Sequence, residues 1–381
     1  MKKKEKILVA MSGGVDSSVV AAFLVDQGYD VTGMFAVNYE DKEQGIKNKE
    51  KIESCWINDY RDAVRVAAHL GIPLLRWNFV KEYKKFVLDY MYKEYSAGRT
   101  PNPDILCNKF VKFGVWLDKA KKMGFDKIAT GHYAQIRNKE KGIRNKTKKI
   151  LTLYSLLLSK DDNKDQTYFL HQLTQKQLQY VLFPIGEYTK PEVRKLAKKF
   201  KLPTAEKEES MGICFVGEVN MKEFLETEIT QKKGKITLSD GAIIGEHDGL
   251  AYYTIGQRHL GVESGKVKGK SANSKPLYIV GKDFEKNKLV VGYEDDPLLY
   301  KKEIVVEDVN WIGQEPKFPL KCKVRMRHRQ KMQNVIIKKA KNQENKKTVI
   351  VMFEKIERAV TPGQFAVFYK DNECLGGGVV K

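Results

Sequence analysis

The stretch Ile7 to Leu24, ILVAMSGGVDSSVVAAFL, constrains this 381-residue chain more than any other. An apolar run with strand character (Ile7 to Ala10) meets Ser12-Gly13-Gly14-Val15-Asp16-Ser17, and a helical pattern with Val19, Val20, Phe23 and Leu24 on one side follows at once. A strand therefore feeds a glycine turn that opens a helix. Glycines let the backbone fold tightly and come close to a ligand, so free N–H groups and the positive end of the helix dipole point into one concavity. The plainer alternative is that Ser12 or Asp16 merely caps a helix entered through a glycine turn. All six residues between an N-terminal strand and a helix favour a phosphate cradle.

The common nucleotide loop places a Lys directly after its last glycine to hold β- and γ-phosphates; Val15 stands there instead. The motif SGGxDS resembles the PP-loop of the ATP pyrophosphatases, which split ATP between the α- and β-phosphates, pass AMP to a substrate oxygen and hold the released pyrophosphate. The resemblance implies that Ser12 and Ser17 hydrogen-bond phosphate and that Asp16 orders the loop or helps place Mg²⁺. Ala10, Met11, Gly13, Gly14 and Val15 complete the expected ATP contact.

The rest of the N-terminal half alternates. Strands are expected at 29–39, 72–79 and 127–136, and helices at 59–71, 82–96, 107–124 and 191–200. Such alternation implies a doubly wound parallel sheet whose ligands sit at the carboxyl ends of the strands. From about Phe224 the pattern changes to short strands and turns, including GLAYYTIGQR. The expected domains are 1–220, an α/β nucleotide-binding unit; 221–298, a central β-rich unit; and 299–381, a C-terminal β-barrel. A polar GxxxGKS stretch at 265–271 has no strand leading into it and is discounted.

The segment GRTPNPDILCNKF (98–110) lies between two helices. Pro101 and Pro103 hold it extended, with Asp104 as the expected N-cap of the next helix. This brings Cys107 into the first helical turn, where the dipole favours thiolate. The other cysteines are Cys55, Cys214, Cys322 and Cys374, with no CxxC pair and no zinc-type spacing. Cys214 sits in ESMGICFVGE beside apolar residues, so on local sequence alone it reads as a small buried hydrophobe.

A formal charge of +21 suits a polyanionic partner, although Lys-rich solvated surfaces give the same excess. One stretch, LKCKVRMRHRQ (320–330), alternates strictly: Lys321, Lys323, Arg325, Arg327 and Arg329 on one face, Cys322, Val324, Met326 and His328 on the other. A row of one sign suits a phosphate backbone. Arg137 to Lys160 reads as a basic hairpin or loop with little chemistry. The N-terminal apolar run is too short for a signal peptide and no stretch approaches a membrane span, so a soluble cytoplasmic protein is expected.

The loop, NPDILCN, TGHYA (130–134), NKDQTYFL, GICF, YYTIGQR and PGQFAVFY…LGGG occur in this order, and with them the whole chain resembles the tRNA-specific 2-thiouridylase family. That family replaces O2 of a wobble uridine with sulfur, clamping the tRNA anticodon arm. The resemblance implies that Cys214 carries sulfur as a persulfide received from a cysteine desulfurase or relay protein, and that Cys107 takes part directly or releases sulfide by forming a disulfide with Cys214. It implies that Asn102, Pro103 and Asp104 meet a flipped base, with Asp104 as proton acceptor. Lys164, Asp165, Gln166, Arg327 and His328 match tRNA contacts, and Gly131 and the backbone near Ala36 match adenosine contacts. No resident metal site is expected. The competing readings are a PP-loop amidating synthetase, which needs no paired cysteines, and a non-catalytic RNA-binding protein.

Overall fold

A computed structural model of the chain describes residues 4–40, 56–141, 151–208, 214, 216, 219–258, 275–340 and 347–381. Cys55, the 265–271 stretch and most of ESMGICFVGE lie outside the described residues.

The N-terminal unit runs β1 (Lys6–Ala10), α1 (Val15–Asp26), β2 (Asp30–Val37), α2 (Trp56–Leu70) and β3 (Leu74–Asn78). Two long helices follow. The first, α3, is wound as α over Val80–Tyr83, as π over Lys84–Leu88 and as α again over Asp89–Ser96. The second, α4, is α over Pro103–Leu106, π over Cys107–Trp116 and α over Leu117–Lys122. Next come β4 (Lys127–Ala129), β5 (Gln135–Lys141), β6 (Leu151–Leu157), α5 (Thr167–Leu170), α6 (Gln175–Leu178), β7 (Val181–Leu182) and α7 (Lys190–Lys199).

Five of these strands pair in parallel in the order β3-β2-β1-β4-β7. Strand alternation explains how both faces are covered: Leu8, Met34, Trp77 and Ile128 pack with α3 and α4, while Ile7, Val9, Phe35 and Ala129 pack with α1, α2 and α7. The chain crosses from one side of β1 to the other between β3 and β4, so the crevice at the carboxyl end of β1 is the topological switch point. The glycine loop occupies it.

The expected single strand over 127–136 is two strands of different sheets. β4 ends at Ala129, and the chain turns through Gly131, where a Cβ would sit 3.0 Å from the Ser17 amide nitrogen. It then enters the β5–β6 hairpin, which leaves the parallel sheet and pairs with the far end of the chain, Leu156 with Cys374 and Leu157 with Glu373.

After α8 (Met221–Glu226), the central unit is a four-stranded sheet of β8 (Gly234–Leu238), β9 (Ile243–His247), β10 (Tyr278–Asp283) and β11 (Lys288–Gly292), ordered β10-β11-β8-β9 around Ile236, Ile279, Leu289 and Val291. GLAYYTIGQR is no strand here: Leu250–Tyr252 forms a 3₁₀ turn, and Thr254 and Ile255 reach toward the other two units. The C-terminal unit comprises β12 (Tyr300–Trp311), β13 (Leu320–Arg325), β14 (Gln333–Lys339), β15 (Val349–Arg358), β16 (Phe365–Lys370) and β17 (Glu373–Val380). These close into a six-stranded barrel through β12–β17 pairing, with Val324, Val335, Ile337, Val351, Phe353 and Phe368 inside.

Candidate active site

The loop after β1 is shaped by backbone rather than by capping side chains. Gly13 has φ +74°, and a Cβ there would collide with the Asp59 carbonyl of α2. The N-cap of α1 is Gly14, which offers the first turn no side chain, so neither Ser12 nor Asp16 is the cap. Ser12 and Ser17 instead brace the loop: the Ser12 amide donates to Ser17 Oγ at 3.1 Å, and Ser17 Oγ donates to the Gly14 carbonyl at 3.1 Å. Asp16 accepts from Lys190 Nζ at 2.7 Å and from the Tyr133 hydroxyl at 3.0 Å. Lys190 starts α7 and gives this loop the cation that its own sequence lacks. Met11 is buried and donates its amide to the Met34 carbonyl, and Ala36 is buried at the end of β2. Beside it, the buried Asn38 Oδ1 has no hydrogen-bond partner among the described residues.

The second group of candidates converges on α4. Asn102, not Asp104, is the N-cap: its Oδ1 accepts from the Ile105 amide at 3.4 Å, with Pro103 in the first turn. Asp104 is thereby free to accept the Cys214 amide at 3.2 Å, while the buried Tyr83 hydroxyl donates to the Cys214 carbonyl at 2.7 Å. These two bonds dock Cys214 against the fully buried Cys107, and the two thiols hydrogen-bond; neither is in a disulfide.

The titration behaviour reverses the expectation for Cys107. Burial, then the contact with Cys214, push the Cys107 thiol well above its usual range. Cys214 is pulled down, first by the hydrogen bond from Cys107 and also by the nearby Lys112 ammonium. Helix position gives Cys107 no thiolate character because desolvation outweighs the dipole. Burial also raises Asp104, against the opposing pull of the Cys214 amide and Lys112, which makes it a better base near neutral pH.

All three units hold the loop that leads into α4. Lys282 Nζ of β10 donates to the Gly98 carbonyl at 3.0 Å, Thr100 and Thr254 hydroxyls meet at 3.1 Å, and the Thr100 amide donates to the Pro362 carbonyl at 2.9 Å. Gln364 Nε2 donates to the Thr100 carbonyl at 2.8 Å.

Family models match nearly the whole chain: tRNA methyl transferase HUP domain over residues 5–218, tRNA methyl transferase PRC-barrel domain over 222–293 and aminomethyltransferase β-barrel domain over 301–380. The tRNA-specific 2-thiouridylase MnmA of Lacticaseibacillus paracasei is 46% identical over 379 residues, covering 98% of this chain and 94% of that protein. The proteins of the same name from Streptococcus agalactiae and Shouchella clausii are 44% and 42% identical, covering 98% and 100% of this chain and 95% and 98% of theirs. The chain belongs to the tRNA-specific 2-thiouridylase family.

Several positions that the 2-thiouridylase resemblance assigned to RNA have other partners. Asp165 is 2% exposed, ion-pairs with Arg325 at 2.9 Å and accepts from the Thr167 hydroxyl and the Ser159 amide. Its carboxylate is therefore engaged within the protein. The ion pair also takes Arg325 out of the row of five cations, and the strand expected to alternate through 330 ends at Arg325, so of the exposed cations Lys321 and Lys323 lie on β13 while Arg327 and Arg329 lie in the turn beyond it. Gln166 accepts the Tyr133 amide at 2.9 Å. His328 packs against Phe169 with tilted rings, centroids 4.6 Å apart, and burial, then Arg329 and Arg325, lower it to about 4, so it carries no charge at neutral pH. Arg327 is exposed but anchors one nitrogen on Ala359 and Thr361 at 2.9 and 3.0 Å.

Sequence reasoning missed Lys112, Lys190, Tyr83 and Tyr133. The absence of a Lys from the loop was the available signal for Lys190. Lys112 gave none, because its position depends on the π winding of α4.

Proposed function

We propose that this chain converts the wobble uridine of tRNA to 2-thiouridine, consuming ATP to AMP and pyrophosphate. The observation that carries this reading is the docking of Cys214 against Cys107 and Asp104, beside a glycine loop built to hold phosphate. A methyl transfer, as the family-model descriptions word it, or an amidation has no use for paired thiols.

Uracil O2 is a poor leaving group, and adenylation makes it one that departs as AMP. Asp104, raised by burial, accepts the proton that the uracil sheds, and Asn102 and Pro103 precede it in the same helix start. The terminal sulfur of a Cys214 persulfide, loaded by a cysteine desulfurase or relay protein, then attacks C2 and displaces AMP. Cys107 gives up its proton and attacks the Cys214 sulfur, leaving sulfur on the uracil and a Cys107–Cys214 disulfide, which a cellular thiol reduces for the next turnover. The thiol contact in the resting site supports this order of events.

The nucleotide site fits ATP. Gly14 leaves the first turn of α1 open to phosphate, Lys190 adds charge, Gly131 allows close approach, and the unpartnered Asn38 Oδ1 beside Ala36 offers an acceptor to the adenine amino group. Mg²⁺ fits as a companion of the phosphates, with the Asp16 carboxylate in the first turn of α1. Mg²⁺ commonly takes one or two carboxylates plus phosphate oxygens. Asp16 would hold it, and the ion would neutralise phosphate charge. Lys321, Lys323, Lys164 and Arg327 support contact with the anticodon arm.

The test supplies the purified chain with ATP, unmodified tRNA, cysteine and a cysteine desulfurase, then analyses nucleosides by mass spectrometry. The expected products are 2-thiouridine, AMP and pyrophosphate. ADP with orthophosphate, or a tRNA with no added sulfur, would overturn the proposal.

A further inference from the structure

Lys112 is the residue of this site that neither motif nor family description singles out. In an α-helix, residues five apart point about 140° away from each other around the axis. Cys107–Trp116 is wound as a π-helix, whose i→i+5 bonds stack residue 112 over residue 107 on one side. Lys112 consequently lies on the Cys107 side of the helix, and its ammonium hydrogen-bonds the Cys214 sulfur.

Several charged or titratable groups among the described residues act on this ammonium. Asp104 and Cys107 face it from its own helix, Cys214 from the docked segment and His132 from the turn after β4. Tyr83 of α3 meets Cys214 through the Cys214 carbonyl and keeps its proton, because burial raises it well above its usual range. His132 is buried, with Nδ1 2.7 Å from the Thr130 hydroxyl, and burial followed by Lys112 holds it neutral. Burial works to lower Lys112, yet Cys214, Cys107 and Asp104 outweigh it, so the amine stays protonated. A buried ammonium needs anions within reach. Cys107 holds its proton, and the Cys214 sulfur is the group that most strongly offsets the burial of the ammonium.

We propose that Lys112 is a positioning residue that acts as the counter-ion of the sulfur on Cys214, holding it anionic as a thiolate before loading and as a persulfide afterwards. The π turn exists, on this view, to bring the cation to the sulfur. The inference rests on Cys214 as the sulfur carrier, but its test uses no ATP, tRNA or sulfur donor. Failure here leaves the thiolation reading standing, and failure of the thiolation assay leaves this measurement unaffected.

The experiment measures the rate at which iodoacetamide modifies Cys214 as a function of pH, by peptide mass spectrometry on the full chain. In the native protein the midpoint is expected below the ~8.5 of a free cysteine. Lys112→Met should raise it by about one unit, slowing modification near neutral pH about tenfold, and Lys112→Arg should restore the native profile. A native midpoint at or above that of free cysteine overturns the proposal whatever the variants do. Equal midpoints for the native chain and Lys112→Met overturn it, and so do equal shifts in the Met and Arg variants, which would mark a packing effect rather than a charge.

Discussion

The glycine loop and the sulfur centre lie in one domain and are made in opposite ways. Ser12 to Ser17 are consecutive, and their geometry follows from local backbone rules: a positive φ at Gly13, a glycine N-cap and hydroxyls that close the loop on itself. The sulfur centre draws Asp104, Cys107 and Lys112 from α4 and receives Cys214 from a distant segment held by two hydrogen bonds. One site is framed chiefly by backbone dipoles that do not titrate. The other is a set of side chains whose protonation states depend on one another, so pH and redox state act on it and largely spare the loop.

The sharpest break between the two comes from the cysteines. Cys214→Ser should reduce 2-thiouridine to background and prevent persulfide loading, whereas Cys107→Ser should still load sulfur on Cys214 and fail to complete transfer; intact-protein and nucleoside mass spectrometry read both. Cys322→Ser serves as the control and should remain active. Its thiol is pushed up to about 12 by burial in the barrel and takes no part. If the donated sulfur were found on Cys107 or Cys322 with Cys214→Ser fully active, the sulfur centre would have been assigned to the wrong residue.

Asp16→Ala should abolish AMP formation while leaving tRNA affinity intact, since its partners Lys190 and Tyr133 belong to the nucleotide crevice. Equal loss of both, measured by AMP release and filter binding, would make Asp16 a scaffold residue and blur the contrast. Arg325→Met should cost about 3–5 kcal/mol in urea unfolding, because it strands the buried Asp165 carboxylate. Burial already raises Asp165 above its unfolded value. Its contribution to stability is therefore fullest below the unfolded pKa and is lost as pH rises through the folded one, so the deficit of the variant should grow from mild acid toward neutral pH. A pH-independent deficit would sink this account. The smallest effect is expected for Arg327→Ala, a fall of about one in the salt slope of tRNA binding with little change in turnover. An unchanged slope would return the cations on β13 and in the turn after it to ordinary solvated surface.

What was legible in the sequence divides along the same line. The βα start, the parallel sheet, the switch to β structure near Phe224 and the glycine loop rest on short-range periodicity and turn chemistry, which a single sequence displays. The row of cations was legible as an alternation, but nothing local could show that Arg325 turns inward to Asp165, 160 positions earlier. The Asp104 cap failed because Asn102 competes for the same role and has the better position before Pro103. Cys107 was read as a thiolate from its place in a helix, although its complete burial decides its state. Lys112 escaped because α spacing puts it on the wrong side.

The β5–β6 hairpin has a consequence for how the molecule is made. Its outer neighbour is β17, so the edge of β6 at Leu156 and Leu157 stays unpaired until the ribosome has added more than two hundred further residues, through Cys374. An open, apolar strand edge of this kind is a template for pairing with another chain. The nascent N-terminal unit is thus exposed to misassembly while the rest of the chain is made, and its release from that hazard waits on completion of the barrel.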